Sequence, residues 1–309
     1  MPIFSEALNF SIVQTELDTV FYQKFNYPGA VPGFASAQTA SIFKPVNTEH
    51  AAYIESVFKG SGLFPVVGES QNVPLSTPRV TNKMTILVKD FASGIEISKD
   101  LFDDNLHGVW AKTVADFAQK ALITQDANAF ALFNGAFTTT LTADGVSFIN
   151  SAHPLIGGGT QSNLATGALN DTNLNLAMVS LQTQKDQSGV VMGNMPSILL
   201  VPPALLKQAH VVTDSALQSG GAQNDINVYR SMYGFVVWCS AYLSAAAGGS
   251  DTAWFLLSDN HSVSRLIRQG VQTNLRDWGM SNNRTYFYQA NFREAAYVVD
   301  YVGAVGSAG

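Results

Sequence analysis

One cysteine, Cys239, stands in 309 residues, so no internal disulfide can close and no multi-cysteine metal site can form. Charge is scarce as well. Asp, Glu, Lys and Arg together make 13% of the chain, against roughly 25% in an ordinary soluble domain. Basic residues are the scarcer sign, 17 against 23 acidic. The resulting net charge of -6 argues against a dedicated nucleic-acid binder, which needs a basic patch to neutralise phosphates. No apolar run approaches the ~20 residues that span a bilayer. The start, MPIFSEALNF, carries Glu6 and no Lys or Arg before Lys24, so it lacks the basic region of a signal peptide. The chain is therefore expected to be made in a cytoplasm, and the sequons at Asn170, Asn260 and Asn283 to be chance matches.

Signatures of chemistry are missing too. There is no G-x-S-x-G elbow, no Gly-Lys dipeptide for a phosphate loop, no H-E-x-x-H and no EF-hand spacing. GGGTQS at Gly157 to Ser162 comes near a dinucleotide fingerprint, but serine stands where the third glycine belongs and no helix start follows. The five histidines (His50, His107, His153, His210, His261) are dispersed. His153, near Asp144 and Ser151, is the one triad that can be drawn, and a lone loop histidine is more often a structural hydrogen-bonding residue. Asp103 and Asp104 could pair for acid–base work, yet adjacent helical residues point apart and acidic first turns are ordinary. Cys239 sits in an apolar strand with no cation nearby and reads as an inert buried thiol. No catalytic, cofactor-binding or metal-ligating residue is expected.

What the chain does have is 46% hydrophobic residues and a mixed pattern. Little charged surface holds such a subunit apart from its neighbours, so partners are expected to cover it. SIVQTELDTVFYQKF reads as a short helix with Ile12, Leu17, Val20 and Phe21 on a partial apolar face. Pro28, Pro32 and Pro45 then break regular structure. Phe25, Tyr27, Phe34 and Phe43 are scattered along an arm expected to lie on a neighbour. Leu63 to Gly68 reads as one strand of a hairpin. The other is NKMTILVKDFASGIEIS, where Met84, Ile86 and Val88 alternate with Thr85, Leu87 and Lys89. Pro74 and Pro78 open the tip between them. An apolar hairpin alone is marginal in water and invites pairing, which again calls for a neighbour.

From Leu106 to Phe133 there is no proline, and Leu106, Val109, Trp110, Val114, Phe117, Ala121 and Leu122 recur at helical spacing. At 1.5 Å per residue that rod would span about 42 Å, with Asp103 and Asp104 near its start and Gly135 as its stop. TNLNLAMVSLQTQKDQSG reads as a helix with a glycine stop. SILLVPPALLKQAHVV is a buried strand and a helix opened by proline. YGFVVWCSAYLS, AWFLLSD and TYFYQANFREAAYVVDYVGAV read as strands.

In this order the elements resemble the Hong Kong 97-type phage major capsid proteins, in particular the Mu-like head subunit branch, from about Phe58 onward. FPVVGESQNVP with KMTILVKDFASGIEIS resembles the family's E-loop. LFDDNLHGVWAKTVADFAQKALITQDANAFALFNG resembles its spine helix, with the late Asp126 and terminal Gly135. The helix before Gly189 with SILLVPPALLKQAHVV resembles the opening of the axial domain.

The resemblance implies an α+β fold divided into an N-terminal arm (1–59), an E-loop (60–97), spine helix and peripheral domain (98–170), axial domain (171–285) and a return to the peripheral domain (286–309). It implies a structural subunit, not an enzyme, that forms hexamers and pentamers of an icosahedral shell. That shell would enclose packaged double-stranded DNA without sequence-specific binding. Separate scaffolding, portal and decoration proteins are the further partners; no cofactor and no membrane is implied. The tip from Glu69 to Pro78 has no lysine, so crosslinking through it is not expected. The alternatives are an encapsulin-like cellular compartment and an oligomeric hydrolase using His153.

Overall fold

Val13, Leu17 and Phe21 recur every four residues, the spacing that aligns side chains on one face of a helix, and all three are buried. The computed structural model describes residues 3–25, 37–59, 62–75, 79–104, 108–155, 158–217, 226–230, 234, 236–276 and 285–309. Its helices are α1 (Ile3–Phe25), α2 (Ala37–Ile42), α3 (Lys99–Asp104), α4 (Val109–Asn134), α5 (Asp171–Gln182) and α6 (Leu206–Thr213). The longer strands are β1 (Lys44–Asn47), β2 (Ala52–Lys59), β3 (Arg79–Leu87) and β4 (Lys89–Ser98). Short strands β5 (His153–Pro154), β6 (Thr160–Gln161) and β7 (Leu164–Ala165) follow, then β8 (Pro196–Val201), β9 (Val236–Cys239) and β10 (Trp254–Ser258). The chain ends with β11 (Val263–Arg276), β12 (Thr285–Val298) and β13 (Ala304–Ser307). The α+β class is the expected one.

Two compact units divide the chain. The first comprises Met1–Tyr53, Leu87–Ala129 and Arg265–Ala296. Its sheet has the order β1-β11-β12-β4, with β12 antiparallel to β4 from Thr285↔Ser98 to Glu294↔Lys89. The alternation of buried residues along β12 from Thr285 to Glu294 is the period of a strand with one face inward. That inner face, through Tyr286, Tyr288 and Ala290, packs with Trp110, Val114 and Phe117 of α4 and with Val13, Leu17 and Phe21 of α1. Phe21 touches Phe117 and Tyr288 at ring separations of 5.9 and 6.1 Å.

The expectation that the arm aromatics lie on a neighbour is therefore corrected for Phe43, buried by its own chain, and for Phe25, partly buried against the same core as Phe21. Ile12, assigned to the apolar face, is exposed, and Val13 takes its place. Pro28, Pro32, Tyr27 and Phe34 lie outside the described residues. Asp18 of α1 accepts hydrogen bonds from Thr273 and Tyr288, each at 2.7 Å. Arg265 and Glu294 form a fully buried ion pair on adjacent strands, the Arg265 Nε donating to Glu294 Oε2 at 3.0 Å. Asn128 adds a donor to the other Glu294 oxygen.

The long helix is shorter than its sequence suggests. It starts at Val109, after Gly108 at φ 61°, a left-handed position suited to glycine. Asp103 and Asp104 end the separate α3 and do not open α4; Leu106 and His107 lie outside the described residues. The stop holds: Asn134 is the last helical residue, and the Gly135 N–H bonds to the Ala131 carbonyl.

The second unit comprises Ile54–Ile86, Phe130–Ser264 and Tyr297–Gly309. Its five-stranded sheet runs β7-β13-β10-β8-β9, parallel at β8–β9 and β13–β7 and antiparallel between. β8 and β10 carry continuous apolar runs, ILLV and WFLL, and are buried along nearly their whole length, as strands at the centre of a covered sheet must be. Leu174, Ala177, Met178 and Leu181 of α5 and Ala209 and Val212 of α6 supply the cover.

Asn170 caps α5 by accepting from the Asn173 N–H at 2.8 Å. The helix ends at Gln182, before its expected stop at Gly189; that glycine instead serves a turn at φ 83°. These units cut the chain elsewhere than the expected boundaries of 171–285 and 286–309. Arg265–Ala296 group with the first unit, and β13 closes the sheet of the second because its backbone pairs with β10.

If α1 belongs to this core, Phe21→Ala should cost about 3–5 kcal/mol, the range for removing a large buried aromatic. Denaturant unfolding of the intact chain measures it. A loss below about 1 kcal/mol would mean that the helix is only laid on the surface.

Candidate assembly surface

β2 and β3 pair as a two-stranded sheet, and their inner face is thin. Met84, Ile86 and Val88 point inward while Thr85, Leu87 and Lys89 are exposed, as the alternation requires. The strand expected at Leu63 to Gly68 is not one; the partner of β3 is β2, upstream of it. On β2, Glu55 accepts from the Tyr297 hydroxyl at 2.7 Å. From Gly62 to Leu75 the chain is an extended loop, with one turn where the Gln71 N–H meets the Gly68 carbonyl at 3.2 Å. Pro65 and Pro74 lack the N–H that a strand ladder needs. Pro78 lies outside the described residues. β4, expected as part of this hairpin, instead joins the four-stranded sheet through β12.

The loop carries apolar side chains that nothing among the described residues covers. Phe64 is 93% exposed, Val66 100% and Leu75 95%; Leu63 and Val73 are three-quarters exposed. Ile54 and Phe58 continue the surface along β2. Scattered single apolar residues are normal on a protein surface, but a contiguous apolar stretch marks an interaction site. Further exposed apolar residues are Leu176 and Val179 on α5, with Val191 and Met195 near its end. The first unit also carries an open groove of about 300 Å³. Phe91, Ile95, Phe117, Ala290 and Phe292 line it, with Asp116 and Lys120 at its rim.

The polar candidates do not assemble into a reactive centre. His153 does meet Asp144, Nδ1 to Oδ2 at 2.7 Å, but its Nε2 faces Asn163 Oδ1 at 3.2 Å and its ring stacks on Tyr301 at 3.8 Å. The imidazole is fully buried and Ser151 is exposed, so the drawn triad has no nucleophile. Burial alone would raise the Asp144 carboxyl; hydrogen bonds from His153, Thr142 and the Val146 N–H hold it below its ordinary value. Burial pushes the neighbouring Asp300 carboxyl and the Tyr301 hydroxyl up.

The other candidates are scattered. His50 is exposed, His210 pairs with Asp214 one turn away, and His261 Nδ1 accepts from the Val263 N–H. Gly157 lies outside the described residues. Gly158 and Gly159, at φ 92° and 87°, turn the chain between β5 and β6, with no helix following. Cys239 lies in β9, partly buried, its thiol pushed up by burial. Among the described residues no group of three or more His, Cys, Asp or Glu is placed to hold a metal, and no helix is long and apolar enough to cross a membrane.

Solved structures of low identity share this fold. The capsid of bacteriophage JBD30 superimposes with a TM-score of 0.54 at 16% identity, covering 69% of this chain and 93% of its own. A structure of Microbacterium phage Oxtober96 gives 0.56 at 14%, covering 88% and 90%. The virus-like particle from Pyrococcus furiosus gives 0.55 at 7%, covering 95% and 98%. The fold is thus the α+β capsid fold of Hong Kong 97 type. No curated protein matches by sequence. Residues 81–307, well over half the chain, match the family described as phage capsid protein, and the chain belongs to that family. It is a structural subunit of a phage capsid, not an enzyme.

An uncovered loop leaves a thermodynamic mark. Phe64→Ala should change the stability of the free subunit by less than about 0.5 kcal/mol, as for an ordinary surface site. Urea unfolding of the unassembled chain reads this. A loss comparable with that of a core phenylalanine would show that the loop is buried by its own subunit.

Proposed function

We propose that this subunit closes an icosahedral shell as hexamers and pentamers around packaged double-stranded DNA, and that the 62–75 loop is its main contact with neighbouring copies. The observation that carries this is the exposed row Leu63, Phe64, Val66, Val73 and Leu75, between β2 and β3 and covered by nothing among the described residues. Full burial of one such side chain contributes about 1.5–3 kcal/mol. A closed lattice repeats each contact around every subunit, so modest contacts add through effective concentration. The net charge of -6 suits a wall that must contain DNA without gripping it.

Within the family we place the chain in the Mu-like head subunit branch, on the ordered E-loop, spine-helix and axial segments. In the family's terms α4 is the spine helix, the sheet of β12 the peripheral part and the sheet of β8 and β10 the axial part. Scaffolding, portal and decoration proteins are separate partners, and assembly takes place in the host cytoplasm. The cellular-compartment reading has less support, because the matching family is one of phage capsids. The hydrolase reading has none in the geometry, because both His153 nitrogens are already engaged.

Deleting residues 71–78 tests the assembly role. The variant should stay folded and soluble, with a thermal melt within a few degrees of the parent, and should form no closed particles in electron micrographs. Normal particles, or outright unfolding, would overturn the proposal.

A further inference from the structure

His153 presents a question of protons that its surroundings answer. Asn163 is oriented from outside the ring. Its Nδ2 donates to the Phe148 carbonyl at 2.8 Å, and its Oδ1 accepts the Asn150 N–H at 2.8 Å. Turning this amide over would set a donor against a donor and an acceptor against an acceptor, so the oxygen is the atom that faces His153 Nε2 at 3.2 Å. On the other side Nδ1 meets Asp144 Oδ2 at 2.7 Å. The second Asp144 oxygen already accepts from Thr142 Oγ1 at 2.5 Å and the Val146 N–H at 3.0 Å, which leaves the carboxylate an acceptor throughout.

A neutral imidazole has a single N–H. In a site with no solvent exposure it would leave one nitrogen lone pair directly against an oxygen, at a cost in free energy. We infer that His153 is a buried, doubly protonated imidazolium that latches the 142–163 loop, with Asp144 as its counter-ion. The Tyr301 ring stacked on it at 3.8 Å offers the π-face that a cation prefers. Asp300, beside Tyr301, is the other carboxyl that acts on His153, and Asp186 acts on Tyr301.

The latch sits where three segments meet. The Ala143 N–H bonds to the Val299 carbonyl at 2.9 Å, the Asn163 N–H to the Asn150 carbonyl at 3.1 Å, and the Gly306 N–H to the Asn163 carbonyl at 3.1 Å. The charge at His153 therefore holds the loop after α4 against the β7–β13 edge of the five-stranded sheet. His153 is a positioning residue, its charge bridging Asp144 to the Asn163 oxygen.

The test is the imidazole 15N spectrum of the intact, 15N-labelled protein in neutral buffer, with His153 assigned by backbone-to-side-chain correlation and checked with His153→Gln. Both His153 nitrogens should resonate at the protonated position, their ring protons slow to exchange. In Asp144→Asn one nitrogen should move to the unprotonated position, a change that loss of packing alone would not produce. One protonated and one unprotonated nitrogen in the parent protein would overturn the inference. The parent spectrum decides the matter even if a variant fails to fold.

Discussion

A subunit that cannot cover its own apolar surface must have it covered by another. Between Gly62 and Leu75 there is no ladder and no facing layer, and Phe64, Val66 and Leu75 stand in water. An isolated two-stranded stem gains little stability by itself, so the hairpin is a poor investment for a lone chain. On the proposed reading it becomes favourable in contact with copies of itself. The scarcity of charge fits that reading, since surface destined for burial cannot carry many ions without costly desolvation.

Each unit also has what a stable platform requires. In the first, the aromatic layer of Phe21, Phe117 and Tyr288 is closed by α1, which the Asp18 carboxylate fixes to β11 and β12. The Arg265–Glu294 pair on adjacent strands adds geometric constraint. A buried pair is weak evidence for stability, yet removing one partner costs several kcal/mol, which penalises any slip of β11 against β12. In the second, two largely apolar strands, β8 and β10, lie inside a covered sheet, and Gln184 hydrogen-bonds Gly303 and Ala304.

How much of this was legible in the sequence depended on the distance between partners. The buried face of α4 through Trp110, Val114 and Phe117, and its stop at Gly135, were readable because helical spacing is local, although Val109, assigned to that face, is exposed. So was the inward row of Met84, Ile86 and Val88. The first strand of the hairpin was misplaced because LFPVV is apolar, while the true strand, AYIESVFK, places Glu55 inward. That glutamate makes sense only with Tyr297, 242 residues away. Phe25 read as part of an arm because the strand that receives it, β12, comes more than 200 residues later. At the polar site, Asp144 and His153 stood nine residues apart and were noticed. Asn163 and the Tyr301 stack, which turn an apparent triad into a latch, carry no local signal.

Amide hydrogen exchange over residues 62–75, compared between the free subunit and the assembled particle, tests the central claim most directly. Backbone groups without internal partners exchange freely until something covers them. The expected result is rapid exchange of these amides in the free subunit and strong protection after assembly, with β8 and β10 protected in both. Equal protection of the loop in both states, or none in either, would contradict the claim that neighbouring copies supply the surface this chain lacks.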